Sequence, residues 1–245
     1  MLELNNVSTT LGGRLIINRV SLTLQKGQRL SIIGTNGSGK TTLLKTMAGL
    51  LPFTGDISYD TTSIRGKRPK ELAKLFAMLS QGQGLQFDHT VMELMMMGRY
   101  VHQQGLLHSS AQDKKIVQDI LDTLNLTHLA NTRINTLSGG QAQRVHLATA
   151  LAQDTPVILL DELTNHLDIK HQVELIRFLK HWAADRIVVG VFHDVNMALE
   201  MSDNLLLLDA GQVVSQGGAQ EVLPHMNEVY GFDIGGFMRE ALGRW

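Results

Sequence analysis

The sequence predicts an α/β fold: a mainly parallel sheet flanked by helices, an antiparallel β-lobe beside it and an inserted helical subdomain. Three observations predict this class. Short apolar runs at residues 30–33, 76–80, 157–160 and 187–192 have the length and composition of buried parallel strands. Stretches of helical periodicity separate them. The first 33 residues and residues 54–59 alternate instead, as antiparallel strands with one wet face do.

The elements follow in order. Leu2-Glu3-Leu4 and Val20-Ser21-Leu22-Thr23-Leu24 read as strands, and residues 54–59 as a further strand entered by a turn. After the 30–33 strand, Leu43, Leu44, Met47, Leu50 and Leu51 are spaced as one helix face. From about 85 to 150 the character turns helical. Thr90 is positioned to cap a helix containing Val91, Leu94 and Met95, with Glu93 completing a capping box. Ser110 is positioned to cap a second helix through Ile116, Ile120, Leu121 and Leu124. Met95-Met96-Met97 reads as helix core of which only some members face inward.

Chemistry enters at Gly34-Thr35-Asn36-Gly37-Ser38-Gly39-Lys40-Thr41, which matches the P-loop pattern at every fixed position. A strand feeding a glycine-rich turn into a helix start aims several backbone N–H groups at one point. The helix dipole adds positive potential there, so the point suits a polyphosphate. Lys40 is expected to reach the β- and γ-phosphates, and Thr41 to give its hydroxyl oxygen to Mg²⁺. Thr42, the next residue of the helix start, belongs to the same binding set.

A second helix start lies at Ser138-Gly139-Gly140-Gln141, where serine is a natural N-cap and the glycines leave the N–H donors bare. One P-loop already cradles one nucleotide, so a second anion-binding helix start serves something else. The arrangement resembles the signature motif of the ATP-binding-cassette (ABC) ATPases. That resemblance implies a homodimer with two ATP molecules between head-to-tail copies, each capped by the partner's signature. It implies a P-loop NTPase core for the fold. Asp161 and Glu162 end the 157–160 strand, and carboxylates at the carboxyl end of such a strand lie beside a P-loop. Asp161 is the expected Mg²⁺ partner and Glu162 the expected base toward the attacking water.

The family resemblance supplies further expectations. Gln81 stands where the Q-loop glutamine contacts Mg²⁺ and water, His193 where the switch histidine touches the γ-phosphate, and Asp168 in a segment that crosses to the partner. Residues 1–232 then form one nucleotide-binding domain, leaving 233–245 as a tail without a recognised counterpart. Within the family the chain is most similar to ATPases of importers for ferric siderophores, haem and cobalamin. The text carrying this is Met97-Gly98-Arg99-Tyr100 with His102, Ala152-Gln153-Asp154-Thr155-Pro156, Leu167-Asp168-Ile169 with His171-Gln172, and His193-Asp194-Val195-Asn196 with Ala198. The implied partners are integral membrane permease subunits and, indirectly, a substrate-binding protein. The implied place is the cytoplasmic face of the cell membrane, as a peripheral subunit. Two departures stand out. Leu11 occupies the position of the family's adenine-stacking tyrosine, and Leu163 follows Glu162 where the family has proline.

Composition bounds the alternatives. A net charge of −1 gives no global attraction to nucleic acid, and none is expected as a partner. The absence of cysteine excludes disulfides and thiolate metal sites. No apolar run approaches the ~20 residues that span a bilayer, and the N-terminus lacks a signal-peptide pattern. An ABC ATPase acting on chromosomes would need long coiled-coil heptads between Gln81 and Ser138, where only a short helical segment fits.

Overall fold

The computed structural model describes residues 1–80, 88–102, 110–162, 169–234 and 236. The strands are β1 (Leu2–Leu11), β2 (Arg14–Leu24), β3 (Arg29–Ile33), β4 (Thr54–Tyr59), β5 (Thr62–Ser63), β6 (Phe76–Leu79), β7 (Val157–Asp161), β8 (Ile187–Val191), β9 (Asn204–Asp209) and β10 (Gln212–Gly217). The helices are α1 (Lys40–Met47), α2 (Pro69–Leu72), α3 (Val91–Gly98), α4 (Ala111–Thr123), α5 (Gly139–Ala152), α6 (Ile169–Trp182), α7 (Val195–Met201) and α8 (Ala219–Tyr230).

Two sheets result. The β-lobe is antiparallel, in the order β2-β1-β4-β5. The larger sheet runs β10-β9-β3-β8-β7-β6 and is parallel except for the β9–β10 hairpin. Strands buried on both faces must be apolar at every position, which is why β7 and β8 read as unbroken runs. Side chains still alternate between the faces. Leu30, Ile32, Leu159, Val189 and Leu206 pack against α1 and the β-lobe. Ile33, Ile158, Leu160, Val188 and Leu207 pack on the other side, with residues of α5, α6, α7 and α8. The order β3-β8-β7 sets three carboxyl ends side by side. The P-loop, His193 and the Asp161-Glu162 pair therefore emerge at one edge, the place where open α/β sheets bind ligands.

Between β6 and β7 the chain builds its own core from Val91, Leu94 and Met95 of α3, Val117 and Leu121 of α4, and Val145 and Ala148 of α5. The expected capping box at Thr90 forms, and the expected cap at Ser110 forms one as well. Glu93 N donates to Thr90 Oγ1 at 3.2 Å, and Thr90 N to Glu93 Oε2 at 2.8 Å. Ser110 and Asp113 repeat the exchange at 3.0 and 3.1 Å. A buried ion pair locks this unit: Arg99 Nε donates to Asp113 Oδ1 at 2.9 Å, and Arg99 Nη1 to the Ala152 carbonyl at 2.8 Å. Burial pushes the Asp113 carboxyl up. Hydrogen bonds from Arg99 and Ser110, with the Arg99 charge, outweigh that and hold it below the usual aspartate value.

Several expectations need correction. The helix after the P-loop stops at Met47, not Leu51. Gly49 adopts φ +69°, a left-handed turn that ends it, so Leu50 falls outside the stripe and is 61% exposed. Strands β1 and β2 are far longer than the short segments read from alternation, because β-bulge-like register shifts break the period along them. Strand β8 ends at Val191, one residue early. The last two strands, β9 and β10, which the sequence reading did not place, form an antiparallel hairpin. Of the methionine run only Met95 is core; Met96 is half-buried and Met97 is 54% exposed. Most of the 233–245 tail lies outside the described residues. Among the described residues, no helix is long and apolar enough to cross a membrane.

Candidate functional site

The P-loop leaves β3 at Gly34 and enters α1 at Lys40, as its pattern requires. Lys40 is buried, and its ammonium donates to the carbonyls of Gly34 and Thr35, both at 2.8 Å. Burial lowers its pKa, while Glu162 and Asp161 pull it back up. The ammonium is thus held at the cradle's rim by groups that a phosphate oxygen can replace.

Thr41 Oγ1 donates to Asp161 Oδ1 at 2.9 Å. Asp161 closes β7 and is buried. Burial raises its pKa, the Thr41 hydroxyl opposes that, and the neighbouring Glu162 charge adds to the rise. A hard cation at this place would relieve the repulsion between the two carboxylates. Glu162 itself has φ +56°, a left-handed conformation that costs a non-glycine residue about 1 kcal/mol or more. That turn swings its side chain toward β8's end, where Glu162 Oε1 and His193 Nε2 lie 2.6 Å apart. His193 is held at the foot of α7, whose cap Asp194 accepts from Asn196 N at 2.7 Å.

The donor set fits a nucleotide and its metal. Ser38 Oγ is buried with no hydrogen-bond partner among the described residues, an orphan that a ligand oxygen would satisfy. The first-turn N–H groups of α1 and the Lys40 ammonium fit a polyphosphate. The oxygens of Thr41 and Asp161 fit Mg²⁺, which prefers few carboxylates and retains water.

Ser138, Gly139, Gly140 and Gln141 sit at the start of α5. Ser138 N donates to Gln141 Oε1 at 3.0 Å, and Gln141 N to Ser138 Oγ at 3.4 Å. Ser138 and Gly139 are exposed. Among the described residues, no hydrogen bond joins this helix start to the P-loop of the same chain. Gln81, Leu163 and Asp168 lie outside the described residues. The sequence reading missed Asp209, whose Oδ1 accepts from Thr35 Oγ1 at 3.3 Å, because no local pattern links positions 174 residues apart.

Leu11 ends β1, paired across the Gly12-Gly13 turn with Arg14, and is 36% exposed. It presents apolar surface but no π-face. If the base rests there, Leu11→Tyr is expected to tighten ATP binding by about 1–3 kcal/mol, the worth of base stacking. Maximal turnover should change little, since stacking is equal in ground and transition states. Titration with ATP and GTP checks it; an unchanged ATP affinity removes Leu11 from the adenine site.

Comparison with known proteins shows the family. The family model described as ABC transporter matches residues 17–165. The petrobactin import ATP-binding protein FpuD of Bacillus anthracis is 39% identical over 225 residues, covering 91% of this chain and 82% of that protein. The hemin import ATP-binding protein HmuV of Shewanella denitrificans is 36% identical over 245 residues, covering 95% and 94%. Among solved structures, a dimeric post-hydrolysis ATP-binding cassette bound to ADP and Pi is 29% identical with a TM-score of 0.78, covering 89% of this chain and 98% of that one. On the family model and these relatives, and with a P-loop, a carboxylate pair and a histidine gathered at one sheet edge, the chain belongs to the ABC transporter family, as one of its ATP-hydrolysing subunits.

Proposed function

We propose that this subunit dimerises head to tail around two MgATP and powers a membrane permease that imports a ferric siderophore or haem. It would work as a peripheral subunit on the cytoplasmic face of the membrane. In this reading Lys40 and the α1 N-terminus hold the phosphates, and Thr41, Asp161 and Gln81 hold Mg²⁺. Glu162 orients the attacking water, His193 holds Glu162 in line, and the partner's Ser138 to Gln141 closes the site. The cargo class is supported by relatives named for petrobactin and hemin import that align along most of the chain.

The observation that carries the transport role is an apolar groove on α3. Met92, Met96, Met97 and Tyr100, with Glu93 at the side, line a space of about 580 Å³. Exposed apolar surface of this kind, rich in adaptable methionine, suits a protein partner. The permease's cytoplasmic segment is the proposed occupant.

Co-purification with the permease subunits of an iron-chelate or haem importer tests the reading. Met97→Asp with Tyr100→Asp is expected to cut the association at least tenfold, by placing charges in a buried contact. Lys40→Ala is expected to keep the association but lose ATP hydrolysis. Cells lacking the subunit should fail to take up ⁵⁵Fe-labelled siderophore or haem. Wild type should restore uptake and Lys40→Ala should not. Intact association of the double variant would remove the groove from the permease contact.

A further inference from the structure

Helix α8 packs on β9 and β10 through buried Val222 and Met226 and ends at Tyr230. Gly231, at φ +64°, terminates it. The turn that follows folds back on the helix: Asn227 Nδ2 donates to Asp233 Oδ1 at 2.9 Å, and Ile234 N to Asn227 Oδ1 at 3.0 Å. The half-buried Tyr230 ring packs against the core beside the sheet.

The tyrosine hydroxyl meets the root of the P-loop, where Gly34 N donates to Tyr230 Oη at 3.1 Å. Gly34 is buried, and its backbone at φ +148° is wedged so tightly that a Cβ would stand 2.0 Å from the Leu208 carbonyl. Its N–H is therefore committed sideways to Tyr230. Its carbonyl is one of the two that receive the Lys40 ammonium. Gly34 thus stands between the phenol and the lysine, one hydrogen bond to each side.

We propose that Tyr230 is a positioning residue for nucleotide binding: its hydroxyl anchors Gly34, and so sets the P-loop backbone and the resting place of Lys40. Two of the loop's first residues are tied this way to distant chain, Gly34 to Tyr230 and Thr35 to Asp209. Without the phenol oxygen, a buried N–H at the root of the cradle loses its partner, and the loop must shift to satisfy it. A cradle that is not held in its binding geometry must be ordered by the ligand, which weakens affinity. Burial raises the Tyr230 pKa, with the Gly34 amide pulling the other way, so the phenol stays a neutral acceptor up to at least its ordinary value near 10.

This inference rests on residues 34–41 being the phosphate cradle, and the experiment separates the two claims. Tyr230→Phe keeps the ring in the core and removes only the acceptor. Binding of MgATP is titrated on folded, stoichiometrically active protein, beside Lys40→Ala. Tyr230→Phe is expected to weaken MgATP binding roughly three- to tenfold, the equivalent of one net hydrogen bond. The same factor should hold at pH 6.5 and pH 8.5, and turnover at saturating MgATP should fall by less. An affinity within twofold of wild type overturns the proposal, even if the melting temperature falls, because a merely structural tyrosine would lower stability without moving the affinity of folded protein. If Lys40→Ala binds MgATP as wild type does, the cradle assignment itself is wrong.

Discussion

Glu162→Gln is expected to lower steady-state ATPase activity by roughly 10²–10⁴-fold while MgATP binding persists. Glu162 emerges from β7 in a left-handed turn that places Oε1 2.6 Å from His193 Nε2. A carboxylate there accepts from the imidazole and keeps a second oxygen for a water. The amide keeps the shape and can still meet the histidine, but it cannot take a proton. Removing its charge also eases the repulsion that raises Asp161, so Asp161 ionises more readily and stays available to Mg²⁺. Nucleotide should therefore load, stall before cleavage and hold the dimer closed. Steady-state phosphate release, MgATP titration and the dimer fraction with MgATP measure the three consequences. Turnover near wild type would remove Glu162 as the base. His193→Ala should also lose turnover, but by loss of alignment, with the carboxylate still present.

The parts of the site that were legible in the sequence are those whose chemistry is local. The P-loop is eight consecutive residues between a strand and a helix, and the structure gives each the expected element. Ser138 read as an N-cap because the cap and its Gln141 partner lie in one turn. The adjacency of Asp161 and Thr41 followed from sheet logic, since β7 and β3 flank β8. Contacts closed by tertiary packing left no such trace. The left-handed backbone of Glu162 has no sequence marker, because glutamate is not a residue that favours it. Tyr230 and Asp209 meet the loop from 196 and 174 residues away. The methionine run shows a finer limit. Periodicity says that three consecutive helical residues cannot all face inward, but α5's position decided that Met95 is the one that does.

Ser138→Arg is expected to abolish turnover while the isolated monomer still binds ATP. Ser138 is exposed at the start of α5, and among the described residues nothing in that helix start bonds the chain's own P-loop. The proposed role on phosphate lies across a subunit interface. Arginine there loses a cap whose hydrogen bond is long, 3.4 Å, and adds a bulky cation at the positive end of a helix dipole. The fold should survive, since capping is worth only about 1 kcal/mol. The closed dimer should not form, because the side chain fills the space a partner's nucleotide needs. Mixing with Lys40→Ala separates the in-trans role from a general defect. Each variant alone is expected to be inactive. A mixed dimer pairs the intact P-loop of the Ser138→Arg copy with the intact signature of the Lys40→Ala copy. Random pairing then restores one whole site in half the dimers, roughly a quarter of the wild-type sites in a two-fold assembly. Loss of ATP binding by the Ser138→Arg monomer would mean that Ser138 serves its own nucleotide. A mixture as inactive as its components would mean that no composite site exists.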